Sequence, residues 1–166
     1  NGLITAQSTG PMEYPLPAYF PYVIGACGVS GGFKLTNNGL IDAYSVYGTA
    51  EAVGKMEIWP ADDTFPETYV DKSYVPIVIN SGTIQAWSEH SFAFGLADTQ
   101  QTTNTGTIQA HGARGSIAIW SEGFVHNSAT GVITAETDGT GTETAILVHD
   151  QSGGVDGTAI PEVVNA

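Results

Sequence analysis

The chain is poor in basic residues. Lys and Arg number four in 166 residues, against seventeen Asp and Glu, a formal charge of −13. So few cations exclude nucleic acid as a partner, because binding there depends on neutralising phosphates. They also exclude attraction to an anionic membrane surface. The only cysteine, Cys27, leaves no internal disulfide. Within Ile24-Gly-Ala-Cys-Gly-Val29 it reads as a small buried hydrophobe rather than a reactive thiol. The sequence has no apolar run of about 18 residues, so no membrane-inserted helix is expected. No signal peptide is legible and the first residue is Asn, so the chain is read as a processed or excised mature segment. P-loop, dinucleotide and nucleophile-elbow motifs are missing. The four histidines, His90, His111, His126 and His149, have no close metal-ligand spacing, although His90 and His111 could approach across repeats. No cofactor is expected, and the acidic charge leaves room only for weak Ca²⁺ binding.

What the chain does have is a phrase repeated five times: Asn1-Gly-Leu-Ile-Thr-Ala6, Asn38-Gly-Leu-Ile-Asp-Ala43, Ser81-Gly-Thr-Ile-Gln-Ala86, Thr105-Gly-Thr-Ile-Gln-Ala110 and Thr130-Gly-Val-Ile-Thr-Ala135. The repeated positions are Gly2, Gly39, Gly82, Gly106 and Gly131, with Ile4, Ile41, Ile84, Ile108 and Ile133. Ile and Ala flank a polar residue, the period-two alternation of a strand with one buried face. The preceding Gly is expected to serve a tight turn at positive φ. Asn37, Asn80 and Asn104 stand two residues before their glycines and are read as turn residues that stack on one another.

Repetition at this scale signals a solenoid. From Gly82 to Gly106 is 24 residues and from Gly106 to Gly131 is 25. That is too short to bury its own core, but enough for one rung of three short strands. The earlier intervals, 37 and 43 residues, are read as the same unit carrying insertions at about 11–24 and 59–76. The first insertion holds four Pro together with Tyr14, Tyr19 and Tyr22, and Pro excludes a central strand. It is read as a cap for the open rung, or else as an aromatic contact surface. Asp62, Asp63, Glu67 and Asp71 in the second are read as solvated carboxylates. Phe92 and Phe94, matched with Ile117 and Ile119, are expected to face inward on a second strand, as are Ala145 and Leu147. Trp87 and Trp120 are expected beside the core, half-exposed, as candidate contacts for a ligand or partner. Gly153-Gly-Val-Asp156 is a single imperfect copy of a calcium-binding nonapeptide.

The Asn-x-Gly-x-Ile-x-Ala phrase, followed by a second strand of small and aliphatic residues, resembles the passenger domains of autotransporters and related haemagglutinin-like adhesins. The resemblance extends as a pattern over nearly the whole chain and carries no catalytic signature. It implies a right-handed parallel β-helix at the bacterial surface. The expected fold is therefore all-β: one β-solenoid domain over residues 1–166, with about five to six rungs. The expected role is a non-catalytic, secreted or cell-surface structural or adhesive element that binds a surface glycan or a host or cell-surface partner.

The alternative is a glycan-degrading β-helix, lyase or tailspike-like. A lyase needs a basic residue beside a carboxylate, and Arg114, Lys34, Lys55 and Lys72 are scattered. A glycosidase needs two facing carboxylates. Glu89 and Glu122 each follow Trp-Ser, and if stacked they would form such a pair beside Trp87 and Trp120. The repeated words are read instead as outer-face sequence. Finally, Val163-Val-Asn-Ala166 resembles the segment that precedes a phrase, as Val78-Ile-Asn-Ser81 does. This is read either as a cut from a longer β-helix at a rung boundary or as self-association through the rung ends, since unpaired strand edges pair unless capped.

Overall fold

The computed structural model describes residues 2–9, 24–31, 34–54, 77–148 and 163–166. All regular structure among them is β-strand, and every strand pairing is parallel. The strands group into five rungs in chain order. The first holds β1 (Leu3–Ser8), β2 (Ile24–Ser30) and β3 (Lys34–Asn37). The second holds β4 (Leu40–Ser45), β5 (Thr49–Gly54) and β6 (Ile77–Asn80). The third is β7 (Thr83–Ser88) and β8 (Phe92–Asn104), and the fourth is β9 (Thr107–Gly112) and β10 (Gly115–Asn127). The fifth is β11 (Val132–Glu136), β12 (Thr142–Val148) and β13 (Val163–Asn165).

Each rung contributes to three faces, a solenoid-like arrangement. The first face stacks as β1-β4-β7-β9-β11. The second runs β2-β5-β8-β10-β12. On the third, β3 pairs with β6, β6 with the end of β8, that end with the end of β10, and β10 with β13. The long strands β8 and β10 turn the corner between second and third faces, and their register shifts between Ile119 and Ser121 and again before Phe124.

The five phrases lie in register, giving one column of Ile4, Ile41, Ile84, Ile108 and Ile133 and another of Ala6, Ala43, Ala86, Ala110 and Ala135. In the three middle rungs the Ile side chains are at most 1% exposed. Burying each contributes about 1.5–3 kcal/mol. Small residues opposite make room for them: a Cβ on Gly28 would stand 3.0 Å from Ile41 Cγ2, and one on Gly95 3.0 Å from Ile108 Cγ2. Val29, Val53, Leu96, Ile119 and Ile146 form the aliphatic column of the second face.

Three expectations are corrected. Phe94 and Ile117 pair with each other in the column of Cys27 and Glu51, outside the main cluster, although Phe94 is still buried at 8% exposure; Ala93, Leu96 and, as expected, Ile119 enter the core. Ala145 is exposed and Leu147 is 37% exposed; the inward residue of β12 is Ile146. Opposite Ile108 the interior admits only the small Gly95, so the bulkier Phe92 and Phe94 do not take that place. The phrase glycines, in turn, are not positive-φ residues: among the described residues only Gly31 and Asp98 have φ in that region. Their requirement is close approach. A Cβ on Gly82 would stand 2.1 Å from Gly39 O, and one on Gly106 2.1 Å from Gly82 O.

Candidate functional site

Alternation on the first face sends every second side chain outward, and register stacks them in columns. Asp42, Gln85 and Gln109 form one: Gln85 Nε2 donates to Asp42 Oδ1 at 2.9 Å, and Gln109 Nε2 to Gln85 Oε1 at 2.8 Å. Beside it run Tyr44, Trp87, His111 and Glu136. Trp87, 45% exposed, stacks on His111 with ring centroids 3.8 Å apart and planes 2° apart. The Glu136 carboxylate lies 3.8 Å from His111 Nδ1. Asp138 lies 2.9 Å from Nε2, yet out of line for a hydrogen bond. The Tyr44 hydroxyl donates to Glu89, which pushes its ionisation above the usual phenol value. A shallow concavity of about 280 Å³ lies over these columns, lined by Gln85, Trp87, Gln109, His111, Thr134 and Glu136.

The other sequence candidates are not assembled into a site. Trp120 belongs to the second face and packs against Phe94, ring centroids 6.1 Å apart, with its buried Nε1 lacking a partner. It therefore stands on a different face from Trp87. Glu89 follows β7 on the first face, whereas Glu122 lies in β10, so the two Trp-Ser-Glu words are not equivalent and their carboxylates do not stack. His90 packs near the Tyr47 ring, not beside His111. Lys34 is in the first rung and Arg114 in the fourth. Among the described residues no group of three His, Cys, Asp or Glu could hold a metal ion. Tyr14, Tyr19, Tyr22, the insertion carboxylates and the Gly153–Asp156 motif lie outside the described residues.

Among the described residues, no strand pairs beyond the first and fifth rungs. At one end β1 exposes Leu3 (67%) and Ile4 (42%). At the other, the fifth rung exposes Val132 (48%), Leu147 (37%) and Val163 (46%). Ile4 and Val163 occupy columns that are fully buried in the middle rungs, at Ile84 and Val125 for example. Ile4 and Val163 are exposed because, among the described residues, no further rung covers them, whereas Leu3, Val132 and Leu147 point outward in columns that are only half-buried in the middle rungs.

A polar ladder runs between the ends. Asn37, Asn80, Asn104, Asn127 and Asn165 stack at the close of the third face. Each Nδ2 donates to the next Oδ1, at 2.8, 2.8, 2.8 and 2.9 Å in turn. The amide orientation is fixed by backbone partners. Gly39 N–H donates to Asn37 Oδ1, and Asn37 Nδ2 donates to Gly39 O and Thr83 O. These asparagines therefore both stack in register and hydrogen-bond the turn two residues on, as expected from the sequence. The sequence pattern shows three of the five directly. Asn127 is concealed by its four-residue gap to Gly131, although Val125-His-Asn127 repeats the Val78-Ile-Asn80 pattern.

No family model, no curated protein and no solved structure matches this chain.

Proposed function

We propose that the protein is a non-catalytic structural column, a right-handed parallel β-helix that stacks end to end into a fibre outside the cell or at its surface. One observation carries this reading: each end exposes an apolar residue, Ile4 at one and Val163 at the other, in a column that is buried in the middle rungs. Stacking a second copy with β1 on β11, β2 on β12 and β3 on β13 continues all three faces. It returns Leu3, Ile4, Val132 and Val163 to the environment their counterparts already have. Unpaired edges of this kind are templates for pairing, and a head-to-tail contact that does not close produces a filament.

Electron microscopy across a concentration series tests the reading. Filaments with a layer repeat near 4.8 Å are expected. Compact particles at every concentration would count against it.

A second reading has its own observation. The concavity over Trp87 and His111 offers an aromatic surface beside paired amides and a carboxylate, groups that suit the CH face and hydroxyls of a sugar. Binding on a glycan panel, lost in Trp87→Ala, supports a glycan-binding adhesive role. Release of reducing ends or unsaturated products from that panel supports an enzyme.

A further inference from the structure

We infer that the joint between stacked copies is keyed by two residues, Gly2 and Asn165, and that the key allows only head-to-tail assembly. The inference rests on the axial stacking proposed above.

Gly2 begins the column of phrase glycines. In the next three rungs glycine is required by the glycine carbonyl underneath, while at Gly131 a Cβ would instead meet Asn127 Oδ1 at 2.1 Å and Asn104 O at 2.7 Å. A Cβ on Gly39 would stand 1.9 Å from Gly2 O; on Gly82, 2.1 Å from Gly39 O; on Gly106, 2.1 Å from Gly82 O. The same carbonyls are hydrogen-bond acceptors for the rung above: Leu40 N–H donates to Gly2 O, Thr83 to Gly39 O, Thr107 to Gly82 O and Val132 to Gly106 O. Gly2 alone has nothing within 4 Å of its Cβ position. Inside one copy, a side chain there meets open space. In a stacked pair, Gly2 of the next copy takes the place above Gly131, its Cβ direction faces Gly131 O, and its Leu3 N–H reaches that same carbonyl. The close approach that requires glycine within the chain is thus restored across the joint.

Asn165 ends the amide ladder. It accepts from Asn127 Nδ2, and among the described residues its own Nδ2 has no acceptor. At the other end, Asn37 Oδ1 receives Gly39 N–H and no ladder amide. Asn165 Nδ2 of one copy therefore meets Asn37 Oδ1 of the next, a donor facing an acceptor. Asn127 gains as well. Asn37, Asn80 and Asn104 each donate also to the carbonyl that follows a phrase glycine, those of Thr83, Thr107 and Val132. For Asn127 the corresponding carbonyl is Leu3 O of the next copy. A head-to-head contact would place donor against donor at Asn165 and would turn parallel faces antiparallel. Only the open-ended arrangement satisfies the ladder.

The test compares the full chain with Gly2→Ala, Asn165→Asp and, as an internal control, Gly82→Ala. Thermal unfolding is followed in dilute solution, and assembly by sedimentation velocity and electron microscopy. Gly2→Ala is expected to melt with the dilute wild type while raising the concentration needed for assembly at least about tenfold, which corresponds to 1.4 kcal/mol per joint. Gly82→Ala melts earlier because its clash lies inside the chain. Asn165→Asp keeps the acceptor that Asn127 uses but sets an oxygen against Asn37 Oδ1, so it melts normally and assembles poorly. Normal assembly of Gly2→Ala or of Asn165→Asp overturns the key. Closed dimers that do not grow overturn the polarity. A wild type that never assembles overturns the stacking reading itself, and the joint with it.

Discussion

Replacing Asn80 with Ala and with Asp measures what the amide ladder contributes. Asn80 is 0% exposed. Its Nδ2 donates to Asn104 Oδ1 (2.8 Å), Thr107 O (3.0 Å) and Gly82 O (3.2 Å), and its Oδ1 accepts from Asn37 Nδ2 (2.8 Å). In Asn80→Ala the former partners keep other bonds. Asn104 Oδ1 retains Gly106 N–H, Gly82 O retains Thr107 N–H, and Asn37 Nδ2 retains Gly39 O and Thr83 O. With those three partners still bonded, the loss is that of three hydrogen bonds of 2.8–3.0 Å and a little packing, about 3 kcal/mol. Asn80→Asp has nearly the same shape but turns the donor into a buried charge facing three acceptors, about 3–5 kcal/mol at neutral pH. Burial raises the folded-state pKa of the new carboxyl above the unfolded value of about 3.9. The folded state then holds the proton more tightly, so stability falls as pH rises between those two values, by up to about 1.4 kcal/mol per pH unit. Below the window the protonated acid donates again and most of the deficit disappears. Equilibrium urea unfolding of both variants between pH 4 and 8, followed by tryptophan fluorescence, reads all of this. Equal stability of the two variants at pH 7, with no difference in pH slope, would refute a donor-directed ladder.

Position within the column should set the cost of losing an Ile side chain. Ile84→Ala is expected to lose about 2–5 kcal/mol, whereas Ile4→Ala, 42% exposed in the first rung, loses far less in dilute solution; equal losses by urea unfolding would deny that burial depends on a neighbouring rung. Burial, then the charge of Glu51, pushes the Cys27 thiol from 9.0 to about 11. Alkylation at pH 8 should therefore be roughly 100-fold slower in the folded protein than in urea, and a matched rate would place the thiol in water. Because the folded state keeps that proton longer, the Cys27 contribution to stability is complete below pH 9 and is lost as pH rises towards 11. A Cys27→Ser variant should lack that alkaline loss.

Much of the fold was legible because the phrase couples three signals. Alternation marks the strand, Ile and Ala mark its inner side, and five copies mark the stacking. The register that results, Ile on Ile and Ala on Ala, follows from those residues alone. The second face was harder because both its sides are apolar. At Phe92-Ala-Phe-Gly-Leu96, size marks the wrong side, since the interior opposite Ile108 admits only a small residue such as Gly95. The bulges after Ile119 also break the alternation that such reading depends on. Trp-Ser-Glu misleads for another reason: the same three letters fall on different faces, and only register separates them. The Trp87–His111 stack had no local signal, because its partners come from rungs 24 residues apart.

Parallel pairing between successive rungs also has a mechanical consequence. A pull along the column axis loads the inter-rung hydrogen bonds of the three faces in series, like the coils of a spring. Within a copy, each coil is also joined to the next by the peptide chain, so a separated pair of rungs stays tethered. If copies of this chain stack as proposed, the joint between them carries no covalent thread. In such a stack, five rungs at about 4.8 Å would place an unthreaded layer roughly every 24 Å. A stretched fibre of this protein would therefore part at the joints and shed intact subunits whose ends can pair again, so breakage under load would be reversible.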